Sequence, residues 1–95
     1  MLKIEDIQFI DHQKILCFFN TGDKRVFNVV CVINDDNKFS QKLMQPLVFR
    51  NAKIGVFGQL YWDGIAEMKN YDGEFIPCEY DISPEFVFNN SIAVS

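Results

Sequence analysis

Ninety-five residues make one domain with one small core, for which an apolar content of 48% is ample. Its 10 phenylalanines are more than so small a core is expected to hide, which points to a contact surface or self-association. The net charge of −4 argues against a phosphate-binding surface, which needs clustered Lys and Arg, and no apolar run nears the ~20 residues of a membrane span. Charge is uneven: residues 1–59 hold eight basic and six acidic side chains (+2), and residues 60–95 hold one basic and seven acidic (−6). That asymmetry suits a basic partner, a head-to-tail self-contact, or a solvated acidic surface.

In chain order, Leu2–Ile10 reads as a strand whose alternation breaks at Glu5-Asp6, predicting a bulge. Asp11-His12-Gln13 is a polar turn. Lys14–Phe19 is a β-rich run with Ile15, Cys17 and Phe19 on one face and Leu16 and Phe18 on the other, as in a central strand. Asn20-Thr21-Gly22-Asp23 is a hairpin turn, and the Val-rich run Arg25–Ile33 completes an antiparallel meander. Asn34-Asp35-Asp36-Asn37 lacks the glycine and distal glutamate of a calcium loop and reads as a polar connection.

Lys38–Met44 predicts a short helix with Phe39 and Leu43 on one face, and Pro46 opens another turn through Phe49. Ala52–Val56 and Gln59–Trp62 are strand candidates on either side of Phe57-Gly58. Asp63-Gly64 is a tight-turn signal across which Ile65–Met68 can pair back. Asn70-Tyr71-Asp72-Gly73 is a further turn. Glu74–Ile82 is a strand interrupted by Pro77, hence an edge or a bulge. Ser83-Pro84-Glu85 has the cap and first-turn proline of a helix start, and Asn89–Ser95 reads as a loose tail.

Taken in order, several of these motifs resemble the small bacterial proteins catalogued as domain of unknown function 2442. The motifs are Phe19-Asn20-Thr21-Gly22 between two strands, Lys24-Arg25-Val26-Phe27, Phe39 with Leu43, and Phe49. They continue with Phe57-Gly58 and Trp62, and close on Asp81-Ile82 with Pro84-Glu85. The resemblance spans most of the chain. It implies a small α+β fold, a mostly antiparallel sheet that begins as a meander, with one short helix packed on a face. It implies no activity; members look like partners of other small proteins, some in toxin–antitoxin-like pairs. One departure stands out: eighteen residues separate Trp62 from Asp81, where the family has only a few. Residues 63–80 are therefore expected to hold an inserted hairpin turning at Asn70–Gly73.

Chemistry is sparse. His12 is the only histidine and falls in a turn, away from any evident nucleophile. Cys17, Cys31 and Cys78 are odd in number, show no C-x-x-C spacing and sit in apolar or acidic stretches, so buried reduced thiols in a cytoplasmic protein are expected. Met1–Asp6 already reads as domain sequence, so no leader is expected. Glu67, Glu79 and Asp81 can meet across the hairpin, but a carboxylate pair needs a cleft that so small a sheet domain hardly offers. Phosphate-cradling glycine loops are absent, and no cofactor or metal is expected.

The expectation is a single non-enzymatic domain over 1–95, an interaction or regulatory module that contacts another protein or a second copy. The candidate interface is Tyr61, Trp62, Glu67, Glu74, Glu79 and Asp81, on a sheet edge and the acidic hairpin. The competing expectation for Trp62 is that it closes the core. The alternative function, an antitoxin-like or nucleic-acid-linked regulator, requires Lys14, Lys24, Arg25, Lys42, Arg50 and Lys53 to gather on one face.

Overall fold

Alternation of apolar side chains, broken by Gly, Asn and Asp turns, builds strands β1 (Ile4–Phe9), β2 (Lys14–Phe19), β3 (Lys24–Asn28), β4 (Lys53–Ile54), β5 (Leu60–Lys69), β6 (Phe75–Ile82) and β7 (Ser91–Ala93). Three short helices join them: α1 (Lys38–Gln41), α2 (Pro46–Phe49) and α3 (Pro84–Asn89). The computed structural model describes residues 1–33 and 38–94, of which 38 and 39 are described by backbone alone. The Asn34–Asn37 connection, the Phe39 half of the helix face and Ser95 lie outside the described residues.

The strands form two antiparallel sheets, ordered β1-β2-β3-β7 and β4-β5-β6. This is an α+β fold that opens with a meander. The break at Glu5-Asp6 is a register shift between Ile4 and Asp6 in the β1–β2 pairing. The Asp11 carboxylate accepts the backbone N–H groups of Gln13 at 2.8 Å and Lys14 at 2.9 Å, which closes the first turn. The Gln13 bond, with smaller help from Lys14, holds its carboxyl below the usual range.

The inner face of the first sheet supplies Ile4, Ile15, Cys17, Phe19 and Phe27 to the core; the second supplies Leu60, Trp62 and Ile82. Leu43, Phe49 and Val87 close it from the helical segments. The sheets meet where the Ile4 N–H donates to the Gly58 carbonyl at 3.0 Å.

Four expectations are corrected. The third strand stops at Asn28 instead of running to Ile33, because the Asn28 side chain accepts the Val30 N–H at 3.0 Å and caps a 3-10 turn over Val29–Val32. The strand expected over Ala52–Val56 shrinks to Lys53–Ile54. There the chain turns back at once, with Gly55 N–H bonded to the Gln59 carbonyl at 2.8 Å. Asp63-Gly64 is not a hairpin turn; Leu60–Trp62 and Ile65–Met68 belong to one strand, β5, with a bulge between Trp62 and Ala66. The tail is not loose: Ser91–Ala93 pairs with Arg25–Phe27. The Arg25 guanidinium fixes it, donating to Ser91 Oγ at 2.8 Å and the Ser91 carbonyl at 2.6 Å while lying 4.4 Å from the Phe88 ring centre.

Candidate functional site

The β5–β6 hairpin dominates the surface. Near the core its strands pair Leu60 with Ile82 and Trp62 with Tyr80; beyond the bulge they pair Ala66 with Cys78, Met68 with Ile76 and Lys69 with Phe75. Asn70 closes the tip, its side-chain oxygen accepting the N–H groups of Asp72 at 3.0 Å and Glu74 at 2.9 Å. Ten residues of strand rise about 33 Å, and the molecule measures 50 × 27 × 21 Å. The part beyond Ala66 is a two-stranded arm whose strands have no further strand beside them among the described residues.

Paired residues share a sheet face, so the arm has two distinct sides. The side that continues the core face carries Ala66, Met68, Ile76 and Cys78. Met68 is 59% exposed and Ile76 43%. Together with Tyr71 they line a shallow groove of about 410 Å³. The opposite side carries Tyr61, Glu67, Glu79 and Asp81, with Lys69 and Phe75 nearer the tip.

Trp62 is the correction within the candidate interface. It is wholly buried, and its indole Nε1 donates to the Phe49 carbonyl at 3.0 Å, tying the end of α2 to the second sheet. Its hydrophobic body and single donor are both satisfied inside, so it offers nothing to a partner. Tyr61 is half-buried on the outer side, opposite Asp81 and Lys53. Glu67, Glu74, Glu79 and Asp81 are exposed. Glu67, Glu79 and Asp81 share one open strand face, while Glu74 sits at the tip. Sequence reasoning missed Met68, Tyr71, Phe75 and Ile76. The signal was present, since Ile76, Cys78, Tyr80 and Ile82 alternate along one face, as do Leu60 and Trp62.

At the foot of the arm the Lys42 ammonium donates to the Ile65 carbonyl at 3.1 Å, on the bulge. Lys53 forms an exposed ion pair with Asp63 at 2.8 Å, and that hydrogen bond raises the lysine's pKa. Arg25 lies on the inner side of the first sheet, whereas Lys14 and Lys24 lie on its outer side beside Leu16, Phe18 and Val26. These basic residues are split between faces. Among the described residues no three His, Cys, Asp or Glu side chains come together to hold a metal ion, and no helix is long and apolar enough to cross a membrane. No protein-family model matches the chain, and no match is found among curated proteins or solved structures.

The three cysteines differ sharply. Cys17 is fully buried, and burial pushes its thiol up to about 12 from 9.0. Cys31 is exposed and Cys78 half-buried. Titration of the native protein with an aromatic disulfide reagent is expected to modify Cys31 first, Cys78 more slowly, and Cys17 only on unfolding; early loss of all three thiols would contradict the packing. The raised Cys17 value favours the neutral thiol in the fold. Its stabilising effect is intact below pH 9 and lost as pH climbs toward 12, by up to about 4 kcal/mol. Burial also raises Tyr80, which adds to the same alkaline loss.

Proposed function

We propose that this chain is a non-enzymatic protein–protein interaction or regulatory module that works in the reducing cytoplasm and binds through the β5–β6 arm. The observation that carries the reading is the arm's apolar side. It continues the core face of the second sheet, yet Met68, Tyr71 and Ile76 are left open to solvent. A small domain normally tucks such side chains under a neighbouring element, and exposed apolar patches commonly mark contacts. The carboxylates of Glu67, Glu79 and Asp81 on the other side keep the arm soluble and favour a partner with basic groups at its rim. The resemblance to a family of small partner proteins agrees with this reading, with the arm as this chain's own addition.

The nucleic-acid alternative has less support, because Arg25 faces away from Lys14 and Lys24 and Lys53 is occupied by Asp63. The test uses the purified protein as bait in lysate of its source cells, beside a Met68→Lys/Ile76→Lys variant. The reading expects a discrete protein retained by the parent and lost from the variant, with unchanged thermal unfolding. It is overturned by equal retention on both baits, or by a nucleic-acid mobility shift that collapses with salt.

A further inference from the structure

We propose that an apolar hollow at the root of the β5–β6 hairpin takes one basic side chain, an arginine, from a partner protein. The hollow measures about 310 Å³, at the small end of ligand pockets, which run from about 300 to about 1,000 Å³. That suits one long side chain. Its walls are Leu2, Phe57 and Pro84, and Asp81 and Glu85 line it with them. Local structure places each wall. Phe57 sits on the crown of a turn closed by the Gly58 N–H to the Gly55 carbonyl at 2.9 Å. The Gln59 side-chain oxygen accepts the Phe57 N–H at 3.0 Å, and the ring is left 66% exposed. Pro84 and Glu85 stand in the first turn of α3, which Ser83 caps. Asp81 is five residues along β6 from Ile76, so the hollow does not depend on what the arm's apolar side binds.

Charge selects the occupant. Among the described residues the carboxylates of Asp81 and Glu85 have no hydrogen-bond or ion-pair partner. No lysine or arginine lines the hollow, and the ammonium of Met1, which also borders it, pairs with neither acid. A second hollow of about 280 Å³ shares Phe57 and Gln59 with the first and adds Glu79, again without a basic side chain. A cation entering here meets acid and no competing base, whereas a carboxylate is repelled. Its aliphatic stem covers Leu2 and Pro84. Arginine fits better than lysine, because its planar fork can bond a carboxylate with two N–H groups while lying on the exposed Phe57 ring. One side chain buries little surface, so the contact is millimolar by itself and acts as an anchor within a larger interface.

Amide NMR of the full chain, titrated with a blocked leucine–arginine–leucine peptide to about 20 mM, tests the proposal. Saturable shifts are expected at Phe57, Gln59, Asp81 and Ser83. The same peptide with glutamine or glutamate in place of arginine should bind about fivefold more weakly or not at all. Asp81→Asn/Glu85→Gln should weaken the arginine peptide about fivefold, and Glu67→Gln on the arm should leave it within about twofold. All three acids are exposed, so these changes spare the fold, and an otherwise unchanged amide spectrum checks that. The proposal is overturned by the absence of saturable shifts at the hollow, by equal response to the arginine and glutamine peptides, or by arginine binding that survives Asp81→Asn/Glu85→Gln. Shifts centred on Met68 and Ile76 also overturn it, and leave the binding role of the arm standing.

Discussion

Trp62→Ala is expected to destabilise the protein by about 3–5 kcal/mol, most of what a domain of this size has to lose. The indole is the largest side chain that is fully buried, and it sits where the second sheet meets α2. Removing it leaves a cavity against Leu60, Phe49 and Tyr80 and takes from the Phe49 carbonyl one of its two hydrogen bonds, the other coming from the Ala52 N–H at 3.2 Å. Trp62→Phe separates the two contributions, since it keeps most of the ring but gives up the bond to the carbonyl, which keeps the Ala52 N–H, at a cost of about 0.5–1.5 kcal/mol. Urea unfolding of the parent and both variants measures this. A loss below about 1 kcal/mol for alanine would show that Trp62 is not the keystone of the core, and would return it to the candidate interface.

Gly58→Ala is the second large effect expected, at about 2–4 kcal/mol. Gly58 has φ +75°, a conformation that costs an L side chain about 1–2 kcal/mol. A Cβ there would also stand 2.6 Å from Lys3 Cα, which is backbone and cannot swing aside. Moving Lys3 away breaks the Ile4 N–H bond to the Gly58 carbonyl, the link between the two sheets. Gly64 supplies the control. Its φ is +74°, yet nothing lies within 4 Å of a Cβ added there, so Gly64→Ala should cost about 1–2 kcal/mol from conformation alone. Equal losses at the two positions would mean that close approach at the sheet junction contributes nothing.

Gly58 and Trp62 also show why much of the fold was legible in the sequence. Where local pattern and tertiary packing agree, the reading holds. Lys14–Phe19 alternates cleanly, and its Ile15, Cys17 and Phe19 face the core. Ser83 caps α3 by accepting the Phe86 N–H at 3.1 Å, and Pro84 opens that helix. Reading failed where one side chain overrode the pattern. Asn28 stops a Val-rich strand by capping a turn, and Arg25 captures Ser91 from 66 positions away, a partnership no local window shows. Asp63-Gly64 carries the composition of a hairpin turn, but bulges use the same residues, and only pairing with Cys78 and Tyr80 distinguishes them.

The candidate interface was legible in part for a similar reason. Acidic residues of the hairpin stand out in composition, so Glu67, Glu74, Glu79 and Asp81 were expected on its surface, and all four are exposed. The apolar side was hidden because Met68 and Ile76 look like core in a linear reading; only the length of β5 and β6 carries them past the core that would have covered them. Trp62 carried both expectations, interface anchor and core closure, and its burial and the bond from its Nε1 to the Phe49 carbonyl agree with core closure.

Residue-resolved hydrogen exchange of the intact chain, compared with and without a partner found by the bait, tests the central claim most directly. In dilute protein the amides of β2 and of Leu60–Trp62 should be the most protected, and those of residues 67–77 should exchange far faster because the arm's residues are mostly exposed and, among the described residues, no further strand lies beside it. On adding that partner, protection should rise at Met68, Ile76 and their strand neighbours. Arm amides already as protected as β2 in dilute solution, or protection gained on another surface while the arm stays unchanged, would contradict the account.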